Sequence, residues 1–271
     1  MKKEIAIIYD VDGTLAKGNL PEQKLLPDLG INTQAFWQET ENLKKQNDSD
    51  GILAYMHLLA KKAAAKNFKL SPEIFAKYGS EIKFFKGVDT WFNRINKFST
   101  DQYVIRHYII SSGLHEMLAS TSIAKHFKQI FACKYLYDEN DSILSPAVAI
   151  NYTTKTQYLF RINKGILNHY DDKALNKWMA TKDRPVPFSR MIYLGDGDTD
   201  IPAMKMVKTN GGASIGVFDP DKWSDSAHQD KIYKLISEDR VTYVAPADYS
   251  NSSQLDILIK GILGRIINEN K

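Results

Sequence analysis

The sequence predicts an α/β fold: a Rossmann-like three-layer core with a parallel sheet, plus an all-α cap domain inserted after the first strand. Two observations predict this class. Short apolar runs rich in β-branched residues alternate along the 271-residue chain with segments of helical periodicity. Residues 16–88 contain helical patterns and no second β-rich run. We therefore expect residues 1–15 and 89–271 to form the core and residues 16–88 to form a helical cap.

The first strand is predicted at residues 5–9, because an unalternated apolar run is typical of a strand buried on both faces. It ends in the polar turn at residues 10–14. Within the insert, helices are expected from about Thr33, after Asp50 as an N-cap, and after Ser71. The last of these begins with Ser-Pro-Glu, an N-cap followed by proline at the first helical position.

The remaining elements alternate as expected for a parallel α/β core. A helix around Trp91 leads to a second strand at residues 103–110, which stops at Ser111-Ser112-Gly113. Residues 130–150 predict a β-hairpin, and a helix is expected from Thr153 to Leu167. The later elements are a helix at 171–180, strands at 191–194, 213–218 and 241–245, and a final helix at 252–267.

Composition excludes several classes of protein. The formal net charge is +4 and the basic residues are scattered, which argues against a nucleic-acid partner. Cys133 is the only cysteine, so a disulfide within the chain and a cysteine-based zinc site are impossible. No apolar run approaches the ~18 residues of a membrane helix, and Asp10 interrupts the apolar N-terminal stretch too early for a signal peptide. We expect a cytoplasmic protein that binds neither nucleic acid nor membrane.

Two acidic turns follow apolar strands. Asp10-Val-Asp12 comes directly after the first strand, and Asp196-Gly-Asp198-Thr-Asp200 follows the strand at 191–194. Because sites form beyond the carboxyl ends of parallel strands, both turns are expected at one edge of the sheet. Clustered carboxylates repel one another unless a cation joins them, and oxygen ligands favour Mg²⁺. Either turn alone is equally well explained as a loop or helix cap, but the pair predicts a metal site.

Four short motifs, in order along the chain, resemble those of the haloacid dehalogenase (HAD) superfamily. They are Asp10-Val-Asp12-Gly-Thr14, Ser111 at a strand end, Lys155 at a helix start, and Gly195-Asp196-Gly-x-x-Asp200 after a strand. The helical insert between the first two motifs and the hairpin before the lysine are similar to the phosphoserine-phosphatase-like members with a helical C1-type cap. The resemblance covers nearly the whole chain.

The resemblance implies a Mg²⁺-dependent phosphatase that hydrolyses a small phosphorylated metabolite, a phosphomonoester, through an aspartyl-phosphate intermediate. It implies that Asp10 is the nucleophile and that Asp12 is the general acid and base. Mg²⁺ would be held by the Asp10 carboxylate, the Asp12 backbone carbonyl and Asp196, with Asp200 contacting the ion directly or through a water molecule.

The resemblance also implies how the phosphate is bound. Ser111 would hydrogen-bond the phosphoryl oxygens, together with the backbone N–H groups of Ser112 and Gly113. Lys155 would neutralise the charge that spreads onto those oxygens. Lys164 lies on the same predicted helix and is the alternative to Lys155, which we prefer because it directly follows the hairpin.

Other functions stay open on the sequence. A phosphotransferase or mutase would use the same aspartyl phosphate but pass the phosphate to a hydroxyl group. A non-catalytic phospho-receiver or binding protein would also cluster acidic residues with a serine and a lysine, but receivers lack the Asp-x-Asp spacing and the large insert. Residues 16–90 contain no arginine, the first being Arg94, so we do not expect phosphoserine as the substrate. The oligomeric state is left open.

Overall fold

The computed structural model describes residues 2–269, and its strands form one mostly parallel sheet. The strands are β1 (Lys3–Tyr9), β2 (Tyr103–Leu114), β3 (Phe127–Tyr137), β4 (Ile143–Val148), β5 (Met191–Gly195), β6 (Ala213–Phe218) and β7 (Tyr243–Pro246). Their order across the sheet is β4-β3-β2-β1-β5-β6-β7. Only β4 pairs antiparallel with its neighbour, and all the other pairs are parallel.

The helices fall into two groups. Those between β1 and β2 are α1 (Leu20–Gln23), α2 (Leu25–Asp28), α3 (Thr33–Asn47), α4 (Gly51–Ala65), α5 (Pro72–Ser80) and α6 (Val88–Asn96). Those after β2 are α7 (His115–Leu118), α8 (Thr154–Lys164), α9 (Asp172–Asn176), α10 (Ile201–Thr209), α11 (Ser226–Ser237) and α12 (Gln254–Asn268). The predicted α/β class, with a helical insertion after the first strand, is confirmed. None of the helices within residues 2–269 is long and apolar enough to cross a membrane.

The predicted helix starts in the insert are confirmed by side-chain caps. Asp50 Oδ1 accepts hydrogen bonds from the N–H groups of Ile52 and Leu53, and Ser71 Oγ accepts one from Ile74. These bonds satisfy N–H groups that have no partner within the first turn of a helix. The local signals in the sequence therefore fix where α4 and α5 begin.

Several predicted bounds are wrong. β2 does not stop at residue 110 but continues through Leu114, which still pairs with Cys133 of β3 after an irregularity in register. The helix α8 ends at Lys164 rather than Leu167, because Gly165 caps it through its N–H. The helix predicted at 171–180 is limited to α9. The helix α11 has no counterpart among the predicted elements, and only Ile232 and Leu235 of its residues are buried.

The insert is joined to the core by contacts with the β3–β4 hairpin. The Tyr135 hydroxyl donates to the Met56 carbonyl oxygen at 2.7 Å. The Phe75 ring stacks on Tyr135 with the ring centroids 5.9 Å apart, within the range of about 4.5–7 Å that aromatic pairs adopt. Gly79 packs so closely on the Met117 carbonyl that an added Cβ would lie 2.1 Å from its oxygen. The insert therefore packs closely on the hairpin and on α7.

A buried chain of hydrogen bonds lies beside the end of β1. Trp91 Nε1 donates to the Tyr9 hydroxyl at 2.9 Å. The Tyr9 oxygen lies 3.0 Å from His107 Nδ1, and His107 Nε2 lies 3.2 Å from Asn96 Oδ1. Every group in this series has a hydrogen-bond partner when the Tyr9 hydroxyl donates to Nδ1 and the neutral His107 ring donates from Nε2 to Asn96 Oδ1. Burial lowers the pKa of His107 to about 3.

We expect this neutral histidine to make stability fall as the pH drops below its ordinary pKa of 6.5. Between pH 6.5 and 3 the unfolded chain binds a proton that the folded chain excludes, so this cost is absent above that window and grows as the pH falls. Linkage gives about 2 kcal/mol at pH 5. Urea unfolding from pH 7.5 to 5 should show a shallower decline for His107→Gln than for wild type. An exposed-residue control, His57→Gln, should keep the wild-type slope, and an unchanged slope in His107→Gln would contradict the prediction.

Candidate active site

The two acidic turns leave the sheet side by side, as the sequence predicts. β1 and β5 are parallel neighbours, with Tyr9 opposite Leu194. The Asp10 N–H extends this ladder by donating to the Leu194 carbonyl oxygen at 2.9 Å. The chain turns away from the sheet after each strand, which brings Asp10 next to Asp196.

Gly13 lets the two turns come this close. Its φ is +71°, in the left-handed region that favours glycine, and an added Cβ would lie 2.3 Å from Asp196 Oδ2. A side chain at this position would therefore collide with the carboxylate of the second turn. The Asp-Gly step that the sequence offers as an ordinary turn signal is also a point of close approach between the turns.

Three carboxylates converge at the edge of the sheet. One carboxylate oxygen from each of Asp10, Asp196 and Asp200 lies within 4.8 Å of the other two. Burial, and then repulsion by Asp200, raise the pKa of Asp10 well above its ordinary value, and burial also raises the pKa of Asp196. An all-oxygen group with this concentration of negative charge fits a hard divalent cation such as Mg²⁺.

Lys155 is the cation that the fold places in this group. Its side chain is fully buried, and Nζ lies 3.0 Å from Asp10 Oδ2 and 2.7 Å from Asp200 Oδ1. Burial lowers the pKa of Lys155, but attraction to Asp10 and Asp200 outweighs this effect, so that its pKa is raised. Lys164, at the other end of α8, instead donates to the carbonyl oxygens of Leu175 and Lys177. Of the two candidate lysines, the structure brings Lys155 to the acidic turns.

Asp12 lies at the same edge but has separate contacts. Its Oδ1 accepts the N–H of Leu20 at 2.8 Å, which ties the first turn to the start of the insert. Burial raises the pKa of Asp12 to about 7, although the Leu20 hydrogen bond acts in the opposite direction. A carboxyl group with this pKa can hold or release a proton near neutral pH.

The predicted phosphate-binding residues lie at the end of β2. Ser111 is fully buried and its Oγ accepts the Gly113 N–H at 3.0 Å. Ser112 and Gly113 line the cavity described below. The buried Ser112 Oγ has no hydrogen-bond partner among residues 2–269. Because a buried hydroxyl without a partner is costly, this atom is available to a ligand.

A cavity of about 520 Å³ lies between the acidic turns and the insert. Residues of the insert that line it are uncharged: Gly18, Asn19, Pro21, Trp37, Gly51, Ile52, Tyr55 and Phe85. The segment after β6 contributes charged or titratable side chains: Asp219, Lys222, His228 and Lys231. Space of this size admits a phosphate group and a small organic substituent.

The sequence analysis missed several contacts around the acidic turns. The Tyr193 hydroxyl donates to Asp200 Oδ1 at 2.7 Å, and Lys231 Nζ lies 3.4 Å from Asp196 Oδ2. Trp37 and Tyr55 face the cavity with ring centroids 5.7 Å apart. Tyr193 carries no sequence signal because it lies in an apolar strand, and Lys231 belongs to the helix that was not predicted.

Comparisons with known proteins give one relative by sequence and several by structure. No family model matches the sequence. A protein of Borreliella burgdorferi described only as uncharacterised is 26% identical over an alignment of 279 positions, gaps included, that covers 93% of each chain.

The solved structures are more distant in sequence. A HAD family hydrolase from Salmonella enterica serovar Typhi has a TM-score of 0.59 and 13% identity, covering 95% of this chain and 70% of that one. A phosphoserine phosphatase, solved as an analogue of its phospho-aspartyl intermediate, has a TM-score of 0.55 and 14% identity, covering 96% and 99%. A phosphoserine phosphohydrolase-like protein from Francisella tularensis has a TM-score of 0.53 and 18% identity, covering 90% and 95%. The expected superfamily resemblance is confirmed at the level of the fold: the chain has the HAD-type α/β fold with a helical insertion after the first strand.

Proposed function

We propose that this protein is a Mg²⁺-dependent phosphatase that hydrolyses a small phosphomonoester through an aspartyl phosphate on Asp10. The observation that carries the proposal is the meeting of Asp10, Asp196, Asp200 and the buried Lys155 at one edge of the sheet. Asp10 and Asp196 of this group line the cavity. Structural elements far apart in the sequence supply these residues. Such a set of charges suits attack by an anion on an anionic phosphate.

The residues present fit a magnesium ion. Asp10, Asp196 and Asp200 would hold it, with the backbone carbonyl of Asp12. Lys155 and Lys231 together offset only two of the three clustered carboxylates, and the carboxylate oxygens are the ligands that Mg²⁺ prefers. When bound, Mg²⁺ supplies positive charge that offsets the repulsion between a carboxylate nucleophile and a phosphate.

Asp10 is held in place for attack by two donors. The Val11 N–H donates to Oδ1 at 2.8 Å, and Lys155 contacts Oδ2. An Asp10 oxygen forms a bond to phosphorus while the bond from phosphorus to the leaving oxygen breaks. Asp12 gives its proton to that leaving oxygen and then takes one from the water that hydrolyses the aspartyl phosphate. A pKa of about 7 suits Asp12 to both steps.

The phosphoryl oxygens would be bound by the end of β2 and by Lys155. The unpartnered Ser112 Oγ and the Ser112 N–H group are the proposed donors there. We assign Ser111 a role in holding Gly113, since its Oγ accepts that N–H. As charge builds on the phosphoryl oxygens, Lys155 offsets it from a buried position.

We expect the purified protein to hydrolyse p-nitrophenyl phosphate in the presence of Mg²⁺, and we expect this hydrolysis to stop when EDTA removes the ion. Because no arginine lines the cavity within the described residues, a bidentate contact to a substrate carboxylate is missing, and phosphoserine should be a poorer substrate than phosphomonoesters without a carboxylate. Phosphate release across a matched panel, at fixed Mg²⁺, measures both effects.

Labelling with acetyl phosphate separates the alternatives if turnover is weak. A labelled Asp10 that persists in water, but transfers phosphate to an added alcohol, would indicate a phosphotransferase. A stable label with no acceptor would indicate a receiver. Absence of both turnover and labelling would overturn the proposed mechanism.

A further inference from the structure

The geometry points to Tyr193 as a positioning residue for the candidate metal site. We propose that its hydroxyl fixes the carboxylate of Asp200 so that Oδ2 is the oxygen left for a cation or its bound water. This inference rests on the metal site of the proposed function, and it assigns a role to a residue outside the four motifs.

The two oxygens of Asp200 have different partners. Oδ1 accepts two short hydrogen bonds, from the Tyr193 hydroxyl at 2.7 Å and from Lys155 Nζ at 2.7 Å. Oδ2 is approached by the Gly197 N–H at 3.4 Å. Since a charge-assisted bond at 2.7 Å is strong and one at 3.4 Å is weak, Oδ1 is committed to the protein and Oδ2 is the less engaged oxygen.

Without Tyr193, Lys155 would be the only strong donor to Asp200 Oδ1, and Lys155 has other acceptors to serve. Its ammonium group has three N–H donors, and they approach three acceptors: Asp10 Oδ2, Asp200 Oδ1 and Thr199 Oγ1. If Lys155 also contacts a phosphoryl oxygen, as proposed above, one of these bonds must be given up. The Tyr193 hydroxyl has no such competing role and continues to hold Asp200.

Tyr193 is well placed for this task. It is fully buried on β5, which lies between β1 and β6 in the interior of the sheet. Its hydroxyl is the donor in the bond to Asp200 Oδ1, since a carboxylate oxygen can only accept. Gly195 packs against the same carboxylate, where an added Cβ would lie 2.4 Å from Asp200 Cγ and 2.6 Å from Oδ2. A donor on a rigid strand thus limits rotation of the Asp200 carboxylate.

The test is Tyr193→Phe in the full chain, with Mn²⁺ binding followed by electron paramagnetic resonance and Mg²⁺ binding by calorimetry, both without substrate. We expect the metal Kd to rise about tenfold, as when a hydrogen-bond partner of a metal ligand is removed. At saturating metal, KM for an aryl phosphate should stay unchanged. Tyr103→Phe is the matched control, because its buried hydroxyl has no partner among residues 2–269; it should leave Kd at the wild-type value.

A double-mutant cycle shows whether Tyr193 acts through Asp200. In an Asp200→Asn background, Tyr193→Phe should cause no comparable further loss of metal affinity. A wild-type Kd in Tyr193→Phe, or an equal loss in Tyr103→Phe, would overturn the inference while leaving the proposed function standing. Wild-type protein that binds neither Mn²⁺ nor Mg²⁺ would instead overturn the metal site on which both proposals rest.

Discussion

The Asp10→Asn variant is expected to lose at least about 10⁴-fold in kcat/KM, so that its turnover is not distinguishable from uncatalysed hydrolysis in the assay buffer. The amide nitrogen cannot attack phosphorus, and one carboxylate is lost from the group that would hold Mg²⁺. Steady-state release of p-nitrophenol measures the loss, and acetyl-phosphate labelling of the variant should be absent.

This variant should nevertheless fold. Burial and the neighbouring Asp200 make the charged form of Asp10 costly, while its contact with Lys155 favours that form. A neutral amide of the same shape removes both effects, so the melting temperature without metal should change little. Asp101→Asn, in an exposed position just before β2, is the matched control and should retain wild-type turnover. Residual turnover by Asp10→Asn above a tenth of the wild-type rate would mean that another group is the nucleophile.

The second large effect is expected for Lys155→Met, which should both abolish turnover and destabilise the fold. Removing the ammonium group leaves the Asp10 and Asp200 carboxylates buried without their cation, a change that typically costs about 3–5 kcal/mol. Urea unfolding at pH 7 without metal measures this loss. Lys164→Met is the matched control on the same helix, since that lysine bonds carbonyl oxygens at the far end of α8.

The loss should depend on pH in a defined direction. Without Lys155, the folded-state pKa of Asp10 rises further above that of the unfolded chain, 3.8. The folded protein then binds the extra proton at low pH, so the contribution of Asp10 to stability is largest below pH 3.8 and is lost as the pH rises through the folded-state pKa. Relative to wild type, Lys155→Met should therefore be more destabilised at pH 7 than at pH 5, and Mg²⁺ should restore part of the difference. Equal stability of both lysine variants would show that the buried ammonium group is not needed to compensate the carboxylates.

Much of the fold follows from local patterns in the sequence. Apolar runs locate the strands, and Asp50 and Ser71 give the starts of two helices because their side chains cap free N–H groups. The pairing of the two acidic turns follows from a general property of parallel sheets, namely that strand ends meet at one edge. Bounds were less predictable where a local stop signal was weak, as at the end of β2, whose pairing with β3 continues past the polar serines.

The details of the candidate site were less accessible because they depend on tertiary packing. Lys155 and Lys164 lie on one helix, and only its placement against the sheet shows which lysine is buried beside Asp10. Tyr193 could not be distinguished from a core residue, since its polar function is a single hydroxyl on an apolar strand. Trp37 and Tyr55 reach the cavity through the docking of the insert, which helical periodicity does not encode.

The close contact between Gly13 and Asp196 makes these two positions mutationally interdependent. Any side chain at 13 must displace the Asp196 carboxylate, and a smaller residue at 196 that relieved the clash would remove a candidate metal ligand. A double substitution that restores packing at these two positions therefore removes a candidate metal ligand and with it the activity. In a saturation library selected for activity, position 13 should accept glycine alone even when 196 is varied with it, whereas selection for folding alone should recover paired replacements.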